Sequence, residues 1–317
     1  MLARRVARRP WGIMSLAVCV MCAACICSAR PTSIGLTDLW EDTPATRNLL
    51  HQFRIYKRNQ LPSHLHQQLR LYFVYPELAK AAERRPTVVF IHGGGWGAGN
   101  PDQWFPQCRY FALRGLVGVS VQYRLKSDTT TVAECVTDCK SAIRYLRRNA
   151  RSLGLDPEKI VVVGESAGGH LAAALGTIDG YDEPGEDIAV SGVPNALVLL
   201  NPITDLTTRW GESLGAKAES LSPLHHISKK TPPTLLIHGD ADQVVDLQHA
   251  RSFHEKMLAV GNRSQLIVLP AADHAFAIIG YGPDHSVART IIETDRYRAS
   301  LGWLDGRPLL QSSEVSK

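Results

Sequence analysis

Seven short runs rich in apolar residues, at 69–75, 87–91, 117–122, 160–164, 196–200, 234–238 and 265–269, recur along this chain of 317 residues with helical stripes between them. Two of them, Ile-Val-Val-Val at 160–163 and Leu-Val-Leu-Leu at 197–200, place no polar residue at alternate positions. A strand with one wet face alternates, whereas a strand covered by helices on both faces does not. The stripe Val132, Cys135, Val136, Cys139, Ile143, Leu146 has helical spacing, and Thr131 with Glu134 can form a capping box before it, so a helix is predicted over 132–148. Asp246 can cap a second helix over 247–260, which Gly261 suits at its end. Strands and helices taking turns imply one doubly wound α/β domain with a mostly parallel central sheet and helices on both faces.

Composition divides the chain further. Residues 1–29 carry Arg4, Arg5, Arg8 and Arg9 and no other charge, then an apolar stretch over 11–27 and the small residues Ser28 and Ala29. This is the pattern of an export signal, and its apolar stretch is shorter than the ~20 residues a spanning helix needs. The expected destination is the periplasm or the medium, with membrane attachment only if the leader stays uncleaved or is lipidated. Without those arginines the charges nearly cancel, since the whole chain has 35 basic and 30 acidic residues, so nucleic acid is not an expected partner. Residues 30–66 read as a weakly patterned N-terminal segment and 67–317 as the α/β domain. Outside the leader lie only Cys108, Cys135 and Cys139, and the last two share the apolar stripe, which predicts packed thiols. The stretches 178–194 and 207–233, rich in Gly, Pro, Ser and charge, are expected as excursions that could wall a pocket.

The stretch IVVVGESAGGHLAAALG, at 160–176, begins as a strand, turns through Gly164-Glu165-Ser166-Ala167-Gly168 and leaves as an Ala-rich helix. This is a G-x-S-x-G elbow, which projects a serine hydroxyl from a tight strand-to-helix turn. A serine hydroxyl needs a base and a group to orient that base. Of twelve histidines, His274 alone stands just past the last predicted strand, at the edge where an active site belongs. His170, on the elbow helix, is expected to brace the turn, and His225 and His226 lie in an excursion. Three aspartates follow the strand at 234–238. Asp246 reads as a helix cap and Asp240 comes almost directly off the strand, so Asp242 is the expected acid. The order Ser166, Asp242, His274 is that of α/β-hydrolases.

With HGGGW at 92–96, YRL at 123–125, GESAGG at 164–169, HGDAD at 238–242 and DHAF at 273–276, the chain resembles α/β-hydrolases of the hormone-sensitive-lipase and bacterial carboxylesterase type. The resemblance implies an α/β-hydrolase fold with a small cap or none. It also implies an oxyanion hole formed by the backbone N–H groups of Gly94, Gly95 and Ala167, with His92 anchoring the loop from below. The Lys126-Ser127-Asp128 continuation lacks the proline-rich segment of lipase-like members. Glu165 in the elbow, the GHLA after it and NPITD at 201–205 are more similar to exported acetylxylan and feruloyl esterases. Trp96 either packs under the glycine loop or walls the acyl pocket, and Arg124 with Asp138 is expected as a buried ion pair.

These readings imply a serine esterase acting on short-chain acyl esters, acetyl foremost, borne by a small molecule or a polysaccharide such as acetylated xylan. The chemistry calls for no metal and no organic cofactor. Three other readings stand beside it: a general carboxylesterase or lipase-like enzyme, a serine peptidase or amidase on the same fold, and a non-catalytic binder of small molecules. The presence of His274 argues against the last, and the lack of room for a gating domain argues against an exopeptidase.

Overall fold

In chain order the protein, seen in a computed structural model that describes residues 32–40, 43–60, 66–77, 83–211, 214 and 217–310, runs β1 (Leu50–Gln60), β2 (His66–Tyr75), β3 (Arg85–Ile91), α1 (Phe105–Leu113), β4 (Val117–Val121), α2 (Val132–Arg148), the single turn α3 (Ala150–Leu153), β5 (Leu155–Glu165), α4 (Ala167–Thr177), β6 (Ala196–Leu200), the single turn α5 (Lys217–Ser220), β7 (Thr234–Gly239), α6 (Gln248–Ala259), β8 (Ser264–Leu269) and α7 (Asp284–Ser300). The leader, with the export signal expected there, lies outside the described residues. The strands form one sheet in the order β1-β2-β4-β3-β5-β6-β7-β8. From β4 to β8 every pairing is parallel, and β1 and β2 add an antiparallel edge.

The uniformly apolar runs are explained by two cores, one on each face of the sheet. Val162 joins α2, α4 and α6 on one side, while Val161 and Val163 join α1 and α7 on the other. Successive side chains of a strand point to opposite faces, so a strand buried on both sides has no place for a polar residue. Full burial of each such Val or Leu contributes about 1.5–3 kcal/mol before conformational entropy is counted.

The helix predicted over 132–148 is α2, residue for residue, and the Glu134 carboxylate accepts the Thr131 backbone N–H at 2.7 Å. The second predicted helix is one residue shorter at each end, and Asp246 accepts the Gln248 N–H at 2.8 Å. Cys108, Cys135 and Cys139 are buried free thiols.

Two expectations are corrected. The boundary at residue 66 does not divide the fold, because β1 pairs with β2 from Leu50 opposite Tyr75 to Gln60 opposite His66. This strand, LHQFRIYKRNQ, lies at the sheet edge, where charge discourages pairing with other chains. The excursion 178–194 contributes no residue to the lining of the cleft that holds Ser166 and His274. Helix α4 carries the chain from Ser166 back toward the opposite edge of the sheet, and the excursion is held there by α2. Lys140 donates to the Ile178 carbonyl at 2.8 Å and Arg144 to the Val190 carbonyl at 2.9 Å.

Strand order reverses at β3, which has β4 on one side and β5 on the other. Loops leaving β3 and β5 therefore diverge and open a crevice at their C-terminal ends.

Candidate active site

Ser166 stands between β5 and α4 with φ 55° and ψ −119°, a conformation that non-glycine residues rarely adopt. Its neighbours permit the turn only because they are bare. A Cβ on Gly164 would stand 2.1 Å from the Gly168 carbonyl oxygen, and one on Gly168 would stand 2.2 Å from that of Ile91. The Ser166 N–H donates to the Leu200 carbonyl at 3.0 Å, which ties the elbow to β6.

His274 reaches this serine from the loop after β8. Its Nε2 lies 3.0 Å from Ser166 Oγ and its Nδ1 lies 2.8 Å from Asp242 Oδ2. The other two aspartates after β7 have different work, since Asp240 accepts the Ala271 N–H at 2.6 Å and Asp246 that of Gln248. Asp242 Oδ1 takes the N–H groups of Val244 and Val245 at 2.8 and 2.9 Å, and buried His238 holds its Nε2 3.3 Å from Oδ2. Burial pushes the Asp242 carboxyl upward, but hydrogen bonds from His238, His274 and Val245 outweigh it and hold the pKa well below the usual carboxylate range. The sequence-predicted Ser166, Asp242 and His274 are thus brought together from three strands.

Gly94 and Gly95 follow β3 with φ of 100° and 60° and line one cleft with Ser166 and His274. Ala167 is the first residue of α4 and is fully buried. No acceptor among the described residues engages the amide N–H of Gly94, Gly95 or Ala167. His92 anchors this loop as expected: its Nδ1 lies 2.9 Å from the Gly93 carbonyl, its ring stacks on Tyr123, and the Tyr123 hydroxyl donates to the His92 carbonyl at 2.9 Å.

Trp96 takes the first of its two readings and is not a pocket wall. It is 4 % exposed, and its indole N–H donates to His170 Nδ1 at 3.2 Å. His170 in turn holds the Leu221 carbonyl at 2.8 Å, so it braces the loop above the turn. An indole with a buried N–H needs such an acceptor. The tryptophans that line the cleft are Trp40 and Trp210, the latter from the 207–233 excursion. Arg124 and Asp138 form the expected buried pair, bidentate at 2.8 and 2.9 Å, and Lys57 joins them at 2.6 Å.

Two neighbours of His274 were not among the residues expected from the sequence. Glu165, 4 % exposed, has Oε1 3.7 Å from His274 Nε2. Burial raises its pKa, opposed by His274 and Asn201. Asn201, the residue after β6, is fully buried and donates from Nδ2 to the His274 carbonyl at 2.9 Å. A visible signal was available, because each is a polar residue ending an apolar strand at the edge where sites form.

The cleft has a volume of about 930 Å³, with Trp40, Phe105, Trp210, Ile278 and Tyr281 among its walls. Trp40 and Tyr281 are 50 % and 82 % exposed, so the mouth is apolar and open.

A buried turn serine within reach of a carboxylate-held imidazole, beside unengaged amides at a sheet's C-terminal edge, is the arrangement of an α/β-hydrolase. Comparison with known proteins agrees. The BD-FAE family model matches residues 73–213 and 201–257. The chain is 30 % identical over 242 residues to esterase LipC of Mycobacterium tuberculosis, covering 68 % of this chain and 60 % of that protein. It is 28 % identical over 238 residues to the probable carboxylic ester hydrolase LipM of the same organism, covering 68 % and 54 %. The chain thus spans a little over half the length of these curated relatives. Among solved structures it is similar to Thermogutta terrifontis esterase 2 phosphorylated by paraoxon, with 38 % identity, a TM-score of 0.76, and coverage of 83 % of this chain and 97 % of that one. The described fold is that of a carboxylic ester hydrolase. The chain belongs to the BD-FAE family.

Proposed function

We propose that the whole protein is a serine esterase that removes short acyl groups, acetyl foremost, from a polysaccharide such as acetylated xylan, with Ser166 as nucleophile, His274 as base and Asp242 as the acid that orients it. In this reading His274 Nε2 takes the Ser166 proton as Oγ attacks the ester carbonyl. The amides of Gly94, Gly95 and Ala167 donate to the resulting oxyanion, aided by the positive end of α4. His274 then protonates the leaving alcohol, and the same base activates the water that releases the acid from Ser166.

The observation that carries the reading is the unbroken chain Asp242–His274–Ser166 at 2.8 and 3.0 Å. The open mouth of the cleft supports a bulky alcohol, since a large ester-bearing chain can lie across it with only the acyl group inside. The arginine-rich leader supports action outside the cytoplasm, in the periplasm or the medium.

The test is a panel of acetyl, butyryl, longer-acyl and feruloyl esters beside an aminoacyl amide, with acetate release from acetylated xylan measured in parallel. The proposal expects kcat/KM to be highest for acetyl and acetate to appear from xylan. Preference for long acyl chains would refute the polysaccharide assignment, and faster amide cleavage would favour a peptidase. Periplasmic or culture-medium recovery of the expressed full chain tests the location, and retention in the cytoplasm contradicts it.

A further inference from the structure

Both nitrogens of the His274 ring are already engaged in the ring plane, Nδ1 with Asp242 and Nε2 with Ser166. Yet Asn201 Nδ2 lies 2.9 Å from Nδ1 and 3.3 Å from Nε2. The two ring nitrogens flank a C–H carbon, and an atom in the ring plane at those distances from both would overlap the ring or that carbon. The Asn201 amide nitrogen therefore lies against the face of the imidazole.

Its two hydrogens have defined destinations. One goes to the His274 carbonyl at 2.9 Å, and the other faces Glu165 Oε1 at 3.4 Å. The amide cannot be turned over, because its carbonyl oxygen would then meet two acceptors. The backbone is fixed as well. Asn201 has φ 35°, in the left-handed region that Asn tolerates better than most residues, and its N–H donates to the Ile237 carbonyl at 2.9 Å. Since the preceding residue, Leu200, accepts from Ser166, this one position is pinned between the strand that delivers the nucleophile and the strand that delivers the acid.

We propose that Asn201 is a positioning residue for His274: its amide holds the imidazole from one face in the plane shared by Ser166 and Asp242, and aims the Glu165 carboxylate at the ring. The inference rests on the serine-esterase reading. The charged groups facing the ring are Asp242 on the β7 side and Glu165 on the β5 side, with the neutral Asn201 between them on β6. When the ring gains the serine proton, a carboxylate within 3.7 Å of Nε2 stabilises the charge that forms, and the face contact keeps the ring from tilting toward that carboxylate and away from Ser166.

The experiment compares Asn201→Gly, Asn201→Asp and Glu165→Gln with the wild type on an acetyl aryl ester. Rates are expressed per active site titrated with a serine-reactive phosphonate, and melting temperatures are recorded. Glycine accepts the positive φ, so Asn201→Gly removes the amide without adding backbone strain. Its kcat is expected to fall about tenfold to hundredfold with KM little changed. Asn201→Asp, equal in size, sets an anionic oxygen against the two acceptors and the ring face, so it should lose more. Its acid limb of kcat/KM should move to higher pH, because an added carboxylate favours the protonated ring. In Glu165→Gln that limb should move to lower pH. A kcat within twofold of wild type in Asn201→Gly, or an unmoved acid limb in Asn201→Asp, overturns the proposal, even with a lowered melting temperature. Failure of the esterase reading would show differently, as turnover that survives Ser166→Ala.

Discussion

The Glu165 carboxylate lies against the Cα of Gly93: a Cβ built on Gly93 would stand 2.1 Å from Oε2 and 3.0 Å from the Glu165 carbonyl oxygen. The glycine loop after β3 and the elbow after β5 are thereby set in contact through one residue that also borders His274. The first glycine of the HGGGW motif is bare for steric reasons, Gly94 for both steric reasons and a positive φ, and Gly95 for its positive φ alone.

Gly93→Ala is therefore expected to displace the Glu165 carboxylate, the loop or both, and to cost at least about tenfold in kcat/KM. Gly95→Ala keeps its N–H and meets nothing within 4 Å, so it carries only the cost of a left-handed alanine, about 1–2 kcal/mol of stability. Steady-state kinetics and thermal melts of the two variants make the comparison. Equal activity in both would contradict the contact.

Asp242→Asn keeps the size of the side chain but supplies an amide where His274 Nδ1–H needs an acceptor. The imidazole is then free to take the tautomer that cannot accept the Ser166 proton. A loss of about 10⁴ in kcat with KM little changed is expected. A loss below tenfold would move the role of acid elsewhere, with Asp240 and Asp246 the alternatives on the same loop.

His170 gives a pH signature in stability rather than in catalysis. Complete burial lowers its pKa from 6.5 to about 4, only partly offset by the Leu221 carbonyl. The unfolded chain binds a proton here near pH 6.5, while the folded ring stays neutral down to about 4. Its contribution is thus complete above pH 6.5 and is lost as pH falls to 4, about 3 kcal/mol in all. Denaturant unfolding of wild type and His170→Gln at pH 7 and pH 4 should show the smaller pH dependence in the variant. Parallel dependences would mean that the ring is not held neutral.

Asp138 is fully buried and accepts from Arg124 and Lys57, far in sequence from the elbow. Removing one partner of a buried pair strands the others, so Asp138→Ala should cost about 3–5 kcal/mol of stability. Activity per folded molecule should persist, as measured by active-site titration. A stable variant would show that water compensates the two cations.

The sequence made the sheet legible where strands are covered on both faces, because an uninterrupted apolar run such as 160–163 leaves no face for solvent. It concealed β1, whose polar residues suit an edge strand and leave no apolar run to read. Ser166, Asp242 and His274 could be chosen by their places after separate strands, since strand ends converge in this topology. Trp96 and Trp210 could not be told apart that way. Which indole faces the cleft depends on where the 207–233 excursion settles and on His170 offering an acceptor to only one of them. Asn201 was hidden for a related reason. Its contact with the face of His274 joins residues 73 positions apart and is written in no local pattern.

Everything proposed for the cleft depends most on Ser166 as the nucleophile. Intact-mass measurement after exposure to a serine-reactive phosphonate, followed by peptide mapping, tests this directly. One adduct per chain on the peptide containing Ser166, absent from Ser166→Ala together with ester turnover, is the predicted result. An adduct on another residue, or a Ser166→Ala protein that still hydrolyses acetyl esters at near the wild-type rate, would contradict it.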